Sequence, residues 1–89
     1  MSFLPEGLLG ELVVLDLDGG WLIIGRLQRA DAHWLQLADA DVHDMREGSS
    51  TRDVYALDTQ RYGVRVNRRQ VFVPLARVVA IARLDAVSG

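Results

Sequence analysis

Two groups of side chains in this 89-residue chain have the types and spacing to do chemistry. Asp39, Asp41 and His43 alternate, with Asp44 adjacent, so on a strand the first three share a face. Oxygen and imidazole ligands in that array hold a divalent cation weakly. The spacing is common at polar strand ends, however, and no fourth ligand is evident, so the sequence assigns no metal and no other cofactor. The second group is Arg65, Arg68 and Arg69, with Arg52 and Arg61 nearby. On an extended strand Arg65 and Arg69 point to one face and Arg68 to the other, so the cluster is not a single stripe. It reads equally as a phosphate-binding patch, a protein contact surface, or a solvated edge neutralised by neighbouring Asp residues. No catalytic constellation is present: there is no phosphate-cradling Gly loop, no nucleophile elbow, and no His and carboxylate paired with a nucleophile. Ser49, Ser50 and Thr51 read as loop and capping residues, and the chain is expected not to be an enzyme.

The bulk composition narrows the partners. A formal net charge of −2 gives no global attraction to phosphate or anionic lipid, so nucleic-acid binding needs a local patch. All ten basic residues are Arg, which suits planar, bidentate or stacked contacts and equally reflects genome composition. The absence of Cys excludes disulfides, thiolate chemistry and Cys-based zinc sites. The N-terminal residues have no basic start, and no stretch approaches the roughly 18 apolar residues of a membrane span. A cytoplasmic location and no membrane association are expected. The length supports one domain over residues 1–89, small enough to favour self-association.

The elements that must position these groups are mostly strands. Residues 3–10 read as a short helix or turn, with Pro5 at a first helical position and Gly10 ending it. Glu11 to Leu17 is a strand, Asp18-Gly19-Gly20 supplies positive-φ turn chemistry, and Trp21 to about Ala30 is the second strand. Gly25 in its middle marks a bulge, bend or close backbone approach. After a turn at Asp31-Ala32 a third strand runs from Trp34 to about Val42. Residues 43–66 form a long connection, in which Ser50-Thr51-Arg52-Asp53 has capping-box spacing, so a short helix is expected, ending near an αL cap at Gly63. A fourth strand follows over Val64 to Val73, Pro74 ends it, and Val78 to Leu84 is the fifth. Residues 85–89 read as a frayed tail.

Spacing within these strands resembles the Sm-like (LSm) family. The family's first motif has alternating apolar residues, a turn ending in Gly, an apolar residue and a second Gly. Here these are Val13, Leu15, Leu17, then Gly19-Gly20, Ile23, Gly25 and Leu27, with Asp31 at the family's Asp in the next turn. The second motif's apolar frame matches Phe72-Val73, Val78 and Ile81. Its Arg-Gly pair is replaced by Pro74-Leu75, and the bacterial branch's Lys-His signature is absent. Leu35 stands at the family's Asn, or Trp34 does if one residue is deleted. The length of the 31–37 turn resembles the bacterial ring protein, with His33 at its base-stacking position, so the chain is similar to a divergent and bacterial member.

The resemblance implies a mainly β fold, a small, strongly bent five-stranded antiparallel barrel of SH3-like type. It implies a ring or smaller oligomer in which the fourth strand of one subunit pairs with the fifth of the next, through Val71, Val73, Val78, Val79 and Ile81. It also implies contact with single-stranded RNA by the turns before the third and fifth strands. The residues at issue are Asp31, His33 and Trp34 in one and Arg77 in the other, with Arg68 and Arg69 as a second patch. With Arg-Gly lost, the alternative is a barrel that scaffolds protein contacts and no longer binds RNA.

Overall fold

The computed structural model describes residues 4–5 and 7–88. In chain order it contains β1 (Leu12–Leu17), β2 (Trp21–Ala30), β3 (Trp34–Asp44), α1 (Arg52–Tyr62), β4 (Arg68–Pro74) and β5 (Val78–Arg83). Short 3-10 turns lie at Asp18–Gly20, Met45–Glu47, Leu75–Arg77 and Leu84–Ala86. The five strands form one antiparallel sheet in the order β4-β3-β2-β1-β5. The mainly β, five-stranded expectation therefore holds, but the strongly bent barrel does not close. β4 and β5 are the two edges and, among the described residues, pair with no strand beyond β3 and β1 respectively, so the sheet remains open. No helix among the described residues is long and apolar enough to cross a membrane.

Apolar residues run almost continuously through β1 and β2 because both faces of the central sheet are covered. On one face Val13, Leu15, Ile23, Leu27, Leu35, Leu37 and Val73 pack with Leu8. On the other, Val14, Leu22 and Ile24 pack against Ala56 of α1 and Leu84. Each fully buried aliphatic side chain contributes about 1.5–3 kcal/mol. The helix buries only Ala56 and Thr59, so polar anchors fix its seat. Arg52 Nη1 reaches the Trp21 carbonyl at 2.9 Å and the Asp16 carboxylate at 3.3 Å. Gln60 Nε2 donates to the carbonyls of Leu84 at 2.5 Å and Val87 at 2.7 Å. The bond to Val87 docks the segment that the sequence reads as a frayed tail.

Of the helix or turn expected over residues 3–10, the turn is found, at Gly7 and Leu9–Gly10, while Phe3 and Glu6 lie outside the described residues. Three other local expectations change. The helix cap is Thr51, not Ser50: its hydroxyl accepts from the Val54 N–H at 3.2 Å, leaving Asp53 in the first turn to face the helix dipole. Gly63 ends the helix at φ 91° and ψ 167°, a positive-φ extended conformation rather than αL. β4 begins at Arg68 instead of Val64 because Asn67 closes the ladder before it. Its N–H donates to the Ala40 carbonyl, and its side-chain amide exchanges bonds of 2.9 and 3.1 Å with the backbone of Val42.

The expectation at Gly25 holds, with consequences for β3. Ile24 pairs with Asp41 and Arg26 with Ala38, so Asp39 and Ala40 together oppose Gly25 in a bulge. A Cβ on Gly25 would stand 2.9 Å from the Ala40 Cβ. Asp39 takes φ 49° and faces solvent, while Ala40 joins the main core and Asp41 is buried on the opposite side. The extra residue shifts the alternation, so the shared face expected for Asp39, Asp41 and His43 does not form.

Asp41 instead anchors the helix. Its carboxylate accepts from the Tyr55 hydroxyl and, at 3.1 Å, from Asn67 Nδ2, while the Tyr55 ring stacks on His43 with centroids 4.2 Å apart. Asp44 is occupied separately by Arg46 at 2.9 Å, which with the Arg46 N–H holds its carboxyl down at about 2. Burial, reinforced by the Asp41 carboxylate, pushes the Tyr55 phenol up to about 12. Because the folded value exceeds the unfolded one, this contribution to stability is complete below about pH 10 and is lost as pH rises from about 10 to 12. Absorbance titration of the phenolates will show a tyrosine ionising near 12. In Asp41→Asn that transition moves down, because the carboxylate charge is gone and at most a neutral amide acceptor is left while the burial remains; an unmoved titration contradicts the assignment.

Candidate nucleic-acid interface

The turn between β2 and β3 is built by Asp31. Its Oδ1 accepts from the N–H groups of His33 and Trp34, each at 2.8 Å, and its own N–H donates to the Trp34 carbonyl at 3.0 Å. These N–H bonds, His33 first, hold the Asp31 carboxyl below the ordinary carboxylate range. Asp31 is thus the organiser of the turn, leaving the exposed side chains of His33 and Trp34 for contact.

β3–β4 pairing sets Trp34 opposite Pro74, and the next residue, Leu75, donates its N–H to the His33 carbonyl at 2.8 Å. The turn at 31–33 and the turn at 75–77 therefore meet at one corner of the sheet. Arg77 belongs to that second turn, but its Nε donates to Asp18 Oδ1 at 2.7 Å, tying it to the β1–β2 turn. Both side chains of this pair are more than half exposed, so the pairing is worth at most about 1 kcal/mol and yields readily to a competing phosphate.

Arg68 and Arg69 are not part of the corner. Arg68 opposes Ala40, six positions along β3 from Trp34 and so about 20 Å away at strand rise. Arg68 Nη1 bonds the Asn67 carbonyl, and both arginines are exposed. Arg52 is committed to α1 docking. The residues named for subunit contact lie on the two edge strands: Val73 is buried in the chain's own core, Val71, Val78 and Ile81 pack against it, and Val79 is 73% exposed.

Beside the corner, on the sheet face not occupied by the main core, is a cleft of about 450 Å³ lined by Arg29, Ala30, Asp31, Trp34, Gln36 and Phe72. Sequence reasoning found Trp34 and Asp31 here but missed Arg29, Gln36 and Phe72. The missing signal was register: Gln36 and Phe72 are partners across β3 and β4, which no local spacing reveals.

The overall fold is shared with a solved structure. The Sm protein of Pyrococcus abyssii, in complex with a uridine heptamer, superposes with a TM-score of 0.57 at 22% identity, covering 85% of this chain and 86% of that one. The fold is Sm-like. No family model and no curated protein matches the sequence. The Sm-like sheet accounts for the first-motif pattern, since Val13, Leu15, Ile23 and Leu27 all enter its core.

Proposed function

We propose that this chain is a non-enzymatic Sm-like module, cytoplasmic, that self-associates and binds single-stranded RNA at the corner where the 31–33 and 75–77 turns meet. The Leu75 N–H to His33 carbonyl bond carries this reading, because it fixes a stacking side chain beside a turn that bears an arginine. The Sm protein solved with a uridine heptamer supports it through the shared fold. The open sheet supports self-association. β4 and β5 leave rows of unpaired backbone groups at opposite edges, and pairing β4 of one copy with β5 of the next satisfies both and closes into a ring. A scaffold that binds protein instead is the second reading, favoured by Pro74-Leu75 at the corner and by the engagement of Arg77 with Asp18.

Fluorescence anisotropy with labelled nine-nucleotide uridine RNA separates the two. Binding is expected with a steep salt dependence. His33→Ala weakens it by about 1–3 kcal/mol, the cost of one lost base stack. Arg77→Ala flattens the slope by about 0.7, one phosphate contact to a single strand. No binding at about 50 mM salt, where such contacts are strongest, leaves the scaffold.

A further inference from the structure

We propose that α1 is a releasable cover: it leaves the sheet as a unit and bares Val14, Leu22 and Ile24 while the five strands and the main core stay folded. The helix is weakly held by apolar contact. Of its residues only Ala56 and Thr59 are buried, and the Thr59 hydroxyl donates to the Tyr55 carbonyl of its own helix at 3.0 Å. Val54 and Tyr62 are instead 47% and 73% exposed, and Met45, Tyr55 and Val64 add only partial cover. What holds α1 is polar: Arg52 to Asp16 and to the Trp21 and Leu17 carbonyls, Tyr55 to Asp41, and Gln60 to the Leu84 and Val87 carbonyls. The Arg52 and Asp16 side chains are 37% and 39% exposed, so water replaces that pair at little net cost.

The sheet keeps its pairing without α1. β3 pairs with β2 through His43 and Asp44, and with β4 as far as Ala40 and Arg68. Asn67 then clamps the returning chain through its bonds to Ala40 and Val42. Residues 45–66 therefore leave and return at fixed points, and none of them belongs to a strand. Gly48 and Gly63 flank the helix, and a Cβ built on either meets nothing within 4 Å, so the chain has room to swing on both sides. Once released, a helix of 11 residues is marginal in water, so opening and local melting go together, as in the least stable unit of a domain. Beneath it Leu22 and Ile24, 1% and 0% exposed, pack with Val14 and Leu84. Opening turns them into an apolar strip that the docked form does not present.

The test uses the full chain, which has no Cys, so one introduced thiol reports on one place. Ile23 and Ile24 are neighbours on β2 that face the two clusters, and in the docked form Ile24 is the less exposed, at 0% against 5%. Ile24→Cys is nonetheless expected to react with a thiol–disulfide reagent at least about tenfold faster than Ile23→Cys under native conditions, because reaction follows the population of the open form. Tyr55→Phe, which deletes the bond to Asp41, raises the Ile24→Cys rate by a further factor of about 10, the weight of a hydrogen bond to a charged group, and leaves Ile23→Cys within about 2-fold. Circular dichroism melts verify folding, and Leu22→Cys, on the same face, replaces Ile24→Cys if that variant does not fold. If Ile24→Cys reacts no faster than Ile23→Cys, α1 opens only together with the sheet and the proposal is overturned. If Tyr55→Phe speeds both thiols alike or neither, the face opens by another route and the proposal is overturned as well.

Discussion

Gly25→Val is expected to cost about 3 kcal/mol or more, the upper end of overpacking penalties, and to lower Tm by on the order of 15 °C in a domain of this size. Gly25 does not have positive φ, so the demand is for space and not for backbone freedom. Its missing Cβ would lie 2.9 Å from the Ala40 Cβ, 3.1 Å from the Ala40 Cα and 3.2 Å from the Ala38 carbonyl oxygen. Two of those three atoms belong to the backbone of the β3 bulge and cannot move without breaking its pairing to β2. The bulge is also what turns Asp41 toward α1, so the damage extends to the helix seat. A milder Gly25→Ala is partly restored by Ala40→Gly, which removes the opposing methyl. Gly48→Ala meets nothing within 4 Å and serves as the neutral control. Thermal and urea melts measure all four; a Gly25→Val protein as stable as the parent would mean that β2 and β3 do not pair in this register.

Val79→Lys is expected to shift the protein from an assembly to single chains without unfolding them. Val79 is 73% exposed on β5, so the substitution removes little from the chain's own core and changes its stability by no more than about 0.5 kcal/mol. In the proposed assembly a neighbouring β4 would lie along this edge, and a lysine there is the device by which edge strands are kept from pairing. Sedimentation velocity is expected to show at least a tenfold loss of self-affinity, with an unchanged far-ultraviolet spectrum. An unchanged sedimentation coefficient would place the subunit contact elsewhere.

Several features of this molecule are written in short stretches of sequence. The alternation of Val13, Leu15, Ile23 and Leu27 is local, and Asp18-Gly19-Gly20 names its turn, with Gly19 and Gly20 both at positive φ. Gly25 stands out because a side chain is missing where a strand should carry one. The Asp39 bulge is hidden for the opposite reason: Asp39, Asp41 and His43 look like an unbroken alternation, and only the small residues Ala38 and Ala40 facing Gly25 hint at the extra residue. The seat of α1 depends on Arg52, Tyr55 and Gln60 reaching residues 14 to 36 positions away, and the cleft depends on a Gln36 to Phe72 pairing across the same range. Such long-range pairings have no periodic trace. The Sm-like motif points to His33 and Arg77, while the bond of Arg77 to Asp18 emerges only when the turns are placed together.

The most direct test of an RNA-associated Sm-like oligomer is the light-scattering mass of the wild-type protein run alone and with an excess of nine-nucleotide uridine or adenosine RNA at low salt. The predicted result is a protein mass several times the 9.9 kDa of one chain, with RNA absorbance co-eluting in the same peak. A 9.9 kDa species that elutes free of RNA with both probes would contradict it.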